Sequence, residues 1–197
     1  MVIGERFAWG HLQKTGGDAT WELLHLFPHL IEFADPRNTE AKHASFAERA
    51  DQVRGKLLVS NIRRLPSWTL SWAQHRARLS KRPDGTPVPM NSPRQMVEVP
   101  RADMRLAILT ADGAYPVERW LRMEQLSADF AGFLAELTEV SDDDRARIAG
   151  FAPVNALEYD HEVANWFTPE QVDQLYERNP VWADVERRVY GGVTKLA

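Results

Sequence analysis

The stretch Arg6-Phe7-Ala8-Trp9-Gly10-His11-Leu12-Gln13-Lys14-Thr15-Gly16-Gly17, together with the run from Asp18 to Phe27, decides the fold. Its first seven residues read as an apolar strand, and from Asp18 onward the apolar residues recur at helical spacing. Between the two, adjacent glycines let the backbone turn tightly and present successive N–H groups outward. The helix that follows adds its own unsatisfied N–H groups and the positive end of its dipole. Lys14 brings a mobile cation to the mouth. The segment is therefore a strand, a loop suited to an anion, and a helix. Spacing alone describes a plain strand-to-helix turn with a surface lysine equally well. The ordinary P-loop, Gly-x-x-x-x-Gly-Lys-Ser/Thr, is absent because lysine here precedes the glycines.

Outward from that stretch the alternation continues. Leu30-Ile31-Glu32-Phe33-Ala34 reads as a short strand stopped by Asp35-Pro36, and Ser45-Phe46-Ala47-Glu48 is a capping box that starts a helix. Lys56-Leu57-Leu58-Val59-Ser60-Asn61-Ile62 is a near-continuous apolar run of the buried parallel type, and Pro66 suits the start of a helix reaching about Arg78. This order predicts an α/β fold with a central parallel sheet. Ligands of such sheets sit beyond the carboxyl ends of the strands, where the loops after Leu12 and Ile62 both emerge. Residues 80–100 carry Pro83, Pro87, Pro89, Pro93 and Pro100 and read as a long surface loop with a short helix at Ser92-Pro93-Arg94-Gln95. Beyond it, Arg119–Met123 suits a strand and Ala128–Glu139 a helix. Ser141-Asp142-Asp143-Asp144 and Thr168-Pro169-Glu170-Gln171 cap two more helices. A single domain over 1–197 is expected, with 1–79 as nucleotide-binding core, 80–100 as the Pro-rich loop and 140–197 as a helical C-terminal part.

Composition closes off several classes. The formal charge of −4 argues against nucleic acid, whose phosphates demand a cationic surplus. A small anion needs only local cations. With no cysteine there is no disulfide, thiolate nucleophile or thiolate zinc site, and the histidine and carboxylate spacings suggest no metal site either. No run of about 18 apolar residues is present, so no membrane helix is expected. Residues 1–6 lack the zones of a signal peptide. A cytoplasmic protein acting on a small molecule is the expectation, with the oligomeric state open.

His11-Leu12-Gln13-Lys14-Thr15-Gly16-Gly17 resembles the His-Ile-Pro-Lys-Thr-Gly-Gly loop of the sulfotransferases, chiefly the Golgi-type and bacterial branch. In that family the loop cradles the 5′-phosphosulfate of 3′-phosphoadenosine 5′-phosphosulfate (PAPS), and its lysine stabilises charge as the sulfuryl group leaves. A second family signature, an arginine after a buried strand and a serine eight residues later, holds the 3′-phosphate. Arg63 and Ser71 match it, and an arginine fork suits phosphate because it bonds two oxygens at once. Lys42-His43-Ala44-Ser45-Phe46 is similar to a Gly-His-Val-Ser-Phe-like segment carrying a catalytic histidine. Trp120 to Phe130 is similar to a late Arg-x-Glu-x-Leu-x-x-Asp-Phe segment. The resemblance covers about residues 5–135 and implies a P-loop-like three-layer fold with C-terminal helices.

The resemblance further implies PAPS as co-substrate, no metal, and transfer of a sulfuryl group to a hydroxyl or amine of a small metabolite or sugar. Lys14 and His43 are the implied catalytic residues. Lys14, Thr15, Gly16, Gly17, Asp18, Ala19, Thr20, Arg63 and Ser71 are the implied PAPS-binding set. The sequence departs from the pattern at Asp18 and Ala19, where relatives carry hydroxyls, at Gln13, and in lacking a C-terminal arginine-rich glycine loop. These departures motivate the alternative of a catalytically inactive, sulfotransferase-like binding or scaffold protein. A histidine is the natural base near neutral pH. His11 reads as a brace of the loop, and Asp18 and Glu22 as alternative bases. Trp21 reads as a core residue or an adenine platform, Arg64 as solvated or an aid to Arg63, and Trp68 and Trp72 as core or acceptor-pocket walls.

Overall fold

The strand run around Phe7 builds the middle of a five-stranded sheet in the computed structural model, which describes residues 1–79, 97–98, 101–152, 154 and 158–196. The short helix at 92–95 and nearly all of the Pro-rich loop lie outside the described residues. The strands are β1 (Val2–Ile3), β2 (Phe7–Gly10), β3 (Phe33–Ala34), β4 (Leu57–Ile62) and β5 (Arg119–Arg122), in the order β3-β1-β2-β4-β5. β2 pairs with β4, and β4 with β5, in parallel, with Phe7 opposite Leu57 and Ile62 opposite Arg122. β1 runs antiparallel to both β2 and β3. The sheet is therefore mixed: the expected parallel pairing holds for β2, β4 and β5, and β1 and β3 add an antiparallel part. The cause is a hairpin: Gly4 N–H bonds the Phe7 carbonyl at 2.9 Å and reverses the chain after only two paired residues. A two-residue strand carries no periodicity for a sequence reading to detect.

The helices are α1 (Gly17–His25), α2 (Ala50–Val53), α3 (Leu65–Leu79), α4 (Arg101–Thr110), α5 (Leu126–Leu137), α6 (Asp142–Ala149), α7 (Pro169–Arg178) and α8 (Pro180–Tyr190). The predicted caps form as read. Ser141 with Asp144, and Thr168 with Gln171, close reciprocal capping boxes. Ser45 and Glu48 make the same exchange ahead of a 3-10 turn, Ala47–Arg49, that leads into α2. α4 is an element the sequence reading lacks. Ala102, Leu106 and Leu109 are buried at helical spacing, but Met104 and Ile108, about half exposed, blur the apolar stripe.

The described chain groups into two compact units, Met1–Ile62 with Arg105–Ala156, and Arg63–Met104 with Leu157–Ala197. The first holds the sheet. Phe7, Trp9, Val59 and Leu121 project from neighbouring strands onto Leu23, Leu24 and Phe27 of α1 and its C-terminal end, and onto Phe130, Phe133 and Leu134 of α5. Burying one such side chain fully stabilises by about 1.5–3 kcal/mol, so this cluster fixes where α1 starts. Arg122 clamps β5 to α5 by bonding both Asp129 oxygens, at 2.7 and 2.8 Å. That pair is the arginine and aspartate of the Arg-x-Glu-x-Leu-x-x-Asp-Phe segment, whose phenylalanine, Phe130, is fully buried.

The second unit packs α3, α7 and α8 around Trp68, Trp72 and Trp182, with ring centroids 5.4 and 5.2 Å from Trp68. Trp68 and Trp72 are thus part of its core. Asn179 Oδ1 accepts the Ala102 and Asp103 N–H groups, and Asp103 accepts those of Val181 and Trp182, so α4 and α8 cap each other. No helix among the described residues is long and apolar enough to cross a membrane.

Candidate functional site

β2 ends at Gly10 opposite Ser60 of its parallel neighbour, so the loop that follows opens at the carboxyl edge of the sheet. Ser60 Oγ donates to the Gly10 carbonyl at 2.8 Å and Thr15 Oγ1 to the Leu12 carbonyl at 2.7 Å, closing the loop on itself. Lys14 adopts φ 65° and Gly16 φ 90°. A left-handed backbone is free for glycine, but for lysine it costs about 1–2 kcal/mol. Gly16 is the N-cap of α1, and with no side chain it leaves that first turn without a side-chain cap.

The two glycines are needed for different reasons. Gly16 supplies the left-handed turn. At Gly17 the demand is space, because a Cβ there would lie 1.9 Å from His11 Cδ2 and 2.0 Å from Nε2. The His11 ring therefore rests on the first residue of α1, as a brace of the loop would. It is nearly buried, stacked on Trp9, and its ring centroid lies 4.6 Å from that of His43. Its Nδ1 has no hydrogen-bond partner among the described residues. Burial, then the neighbouring His43, hold His11 well below the usual imidazole range. Burial likewise lowers His43, whose Nδ1 lies 3.3 Å from the His11 carbonyl oxygen. Both shifts favour the neutral ring, the form in which a histidine can take a proton.

A buried polar chain ties the loop to the sheet. Trp9 Nε1 donates to Asn61 Oδ1, and Asn61 Nδ2 to Thr20 Oγ1, both at 2.8 Å, while Thr20 Oγ1 donates to the Gly16 carbonyl at 3.3 Å. Thr15 and Thr20 have no exposed surface, so what they offer a ligand is their backbone and not their hydroxyls. Sequence reasoning missed Asn61, which reads only as a polar residue inside an apolar strand.

Asp18 is the departure that the sequence leaves most open. Lys42 Nζ bonds its carboxylate at 2.9 Å, and Arg37 Nε lies 4.0 Å away while also pairing with Glu22. Neither cation is readable from the sequence as a partner of Asp18, since both stand in an irregular segment with no periodicity. Trp21 stacks on His25 at 3.4 Å between centroids and packs beside the core cluster.

Arg63 and Ser71 belong to the helical unit. The Arg63 carbonyl accepts Trp182 Nε1 at 3.0 Å, while no hydrogen bond or ion pair engages its guanidinium among the described residues. The Ser71 side chain is buried on α3. Arg64 was expected to be solvated or to assist Arg63. Instead it pairs with Glu186 at 3.0 Å, bonds the Gly192 carbonyl and covers the Tyr190 ring at 4.1 Å. Glu186 has no exposed surface and also accepts the Leu65 N–H at 2.9 Å and the Tyr176 hydroxyl at 2.8 Å. Among the described residues no group of three or more histidines and carboxylates is arranged to hold a metal ion. No protein-family model, curated protein or solved structure matches the chain.

Proposed function

We propose that this protein is a sulfotransferase that moves a sulfuryl group from PAPS to a hydroxyl, or an amine, of a small metabolite or sugar. One observation carries the reading. α1 begins without a side-chain cap, behind a left-handed turn at Lys14 and Gly16, at the carboxyl edge of a strand with parallel partners. Such a turn aims N–H groups and the helix dipole at an anion. Lys14, Thr15, Gly16 and Gly17, with the backbone of Asp18, Ala19 and Thr20, take the 5′-phosphosulfate. Arg63 and Ser71, which match the second family signature, are the residues proposed for the 3′-phosphate.

Sulfuryl transfer is an in-line displacement, so the protein must position two reactants and meet developing charge. The bond from sulfur to the bridging oxygen of PAPS breaks as the acceptor oxygen bonds to sulfur. The acceptor's proton passes to neutral His43, and Lys14 meets the negative charge left on the phosphate. The products are a sulfate ester and 3′-phosphoadenosine 5′-phosphate. Isothermal titration with that bisphosphate is the test. Binding is expected, and Lys14→Ala should weaken it by about 1–3 kcal/mol, the range for a lost charged hydrogen bond. No heat of binding at millimolar ligand would end the reading, as would a Lys14→Ala variant that binds like the parent.

A further inference from the structure

We propose that Asp18 is a positioning residue: its ion pair with Lys42 docks the turn Glu40–His43 on the start of α1 and so fixes the His43 imidazole over His11. The role of the fixed imidazole rests on the sulfotransferase reading, whereas the docking itself does not. Glu40–His43 is a single 3-10 turn with no buried residue of its own, so apolar packing within the turn does not hold it. What reaches it from α1 is the Asp18 carboxylate, 2.9 Å from Lys42 Nζ, one residue before His43. Arg37, at the start of the same segment, approaches that carboxylate at 4.0 Å and pairs with Glu22 one helical turn further along α1. The Met1 nitrogen holds the Lys42 carbonyl at 2.9 Å, and the Asp18 pair links the side chain of this turn to α1. The outcome at His43 is a ring 4.6 Å from that of His11, with Nδ1 3.3 Å from the His11 carbonyl oxygen.

The arrangement accounts for a carboxylate in a loop suited to an anion. Relatives by resemblance carry a hydroxyl at this position, and a bare carboxylate would repel a phosphosulfate. Paired with Lys42 and flanked by Arg37, Asp18 presents little net charge and performs a different task. A salt bridge whose partners are both about one-fifth to one-quarter exposed is partly shielded from water, so its geometry holds better than that of an open surface pair. The charged and titratable groups facing the two imidazoles are Lys42, Glu40, Asp18 and the amino group of Met1, besides each other.

The experiment follows the imidazole protons of His43 by NMR across pH 4.5–8.5 in the parent, Asp18→Asn, Asp18→Glu and Lys42→Arg. Undocking carries His43 out of its half-buried place, so Asp18→Asn should raise its pKa toward the ordinary 6.5. If Asp18 were only a nearby charge, removing it would lower that pKa, because a carboxylate favours the imidazolium. An unchanged or lowered value in Asp18→Asn overturns the proposal, as does loss of the depressed value in Lys42→Arg and Asp18→Glu, both of which keep the pair. With PAPS and an accepted acceptor, Asp18→Asn should lose about tenfold in kcat with no rise in KM for PAPS, and an undiminished kcat overturns the positioning role. If the parent binds no 3′-phosphoadenosine 5′-phosphate, the sulfotransferase reading falls, while the NMR result still decides the docking.

Discussion

Two helices each follow a parallel strand, α1 after β2 and α3 after β4, and their first turns are finished in opposite ways. At α1 the N-cap is Gly16, which has no side chain to offer. At α3 the Leu65 N–H is taken by the Glu186 carboxylate at 2.9 Å, and that carboxylate has no exposed surface. A helix start attracts an anion in proportion to the N–H groups that the protein has not already satisfied. The start of α1 has no side-chain cap from Gly16, whereas the start of α3 is met by a carboxylate of the protein's own. On the proposed reading, recognition next to α3 falls to a side chain, Arg63, and recognition at α1 to backbone.

The sharpest way to break this contrast is to remove the internal anion. Glu186→Ala strips the carboxylate from Arg64, Tyr176 and the Leu65 N–H at once. Leaving a buried hydrogen-bonding partner unsatisfied, here the Leu65 N–H above all, costs about 1–3 kcal/mol. Asp18→Asn, which opens a partly exposed pair, should cost about 1 kcal/mol or less. Urea unfolding of both variants checks the difference. Equal losses would mean that Glu186 is not the anchor its burial indicates.

Next in size is the pair of glycines at the open end. Gly17→Ala drives a methyl group into the ring of His11, which Trp9 and His43 flank. Such overpacking costs typically 1–3 kcal/mol, and the upper half of that range is expected here. Gly16→Ala meets the Met123 sulfur, the movable part of a flexible side chain, so its cost is mainly the left-handed backbone, about 1–2 kcal/mol. Thermal unfolding should rank Gly17→Ala below Gly16→Ala. The reverse order would mean that His11 yields easily and does not brace the loop.

These examples show how far the sequence reaches. β2, α1, β4 and α3 were legible because each has a strong period or an apolar run, and the caps at Ser45, Ser141 and Thr168 because capping is a local exchange. The loop Lys14-Thr15-Gly16-Gly17 was legible as a turn for the same reason. β1 was not, since two residues carry no pattern, and it is the strand that makes the sheet mixed. α4 was hidden by Met104 and Ile108 on its outer face. The partners of Asp18 and of Arg64 lie 24 and 122 residues away in sequence. Charge pairs at such separations follow from the fold and leave no trace in local spacing.

Arg63 and Arg64 give a smaller contrast within two adjacent residues. Arg63→Ala removes a guanidinium with no protein partner among the described residues, so stability should stay within about 0.5 kcal/mol. Its effect should fall on 3′-phosphoadenosine 5′-phosphate, whose binding should weaken by about 1–3 kcal/mol. Arg64→Ala should do the reverse, lowering stability by unpairing Glu186 and leaving ligand contacts in place. Denaturation and titration of both variants separate the roles, and an Arg63→Ala variant with parental affinity would remove Arg63 from the site.

A pH dependence of opposite sign is expected at the two helix starts. Burial first, and the neighbouring ring second, lower the pKa of His11 below 6.5, and burial lowers that of His43. The unfolded chain then takes up protons near pH 6.5 that the folded chain refuses. Stability is complete above that pH and is lost as the pH falls below it, by at most about 1.4 kcal/mol per pH unit for each such group. Glu186 behaves in the opposite sense, because burial raises its pKa above 4.5. Its folded form holds the proton more tightly, so its contribution is present below pH 4.5 and is lost as the pH rises through the raised value. Replacing His11 by Asn should therefore flatten the loss of stability between pH 6.5 and 5, whereas Glu186→Gln should steepen it. Urea midpoints across that interval decide the matter. A parental slope in the His11→Asn variant would mean that the imidazole resting on Gly17 is not held neutral, and the open start of α1 would lose its titratable neighbour.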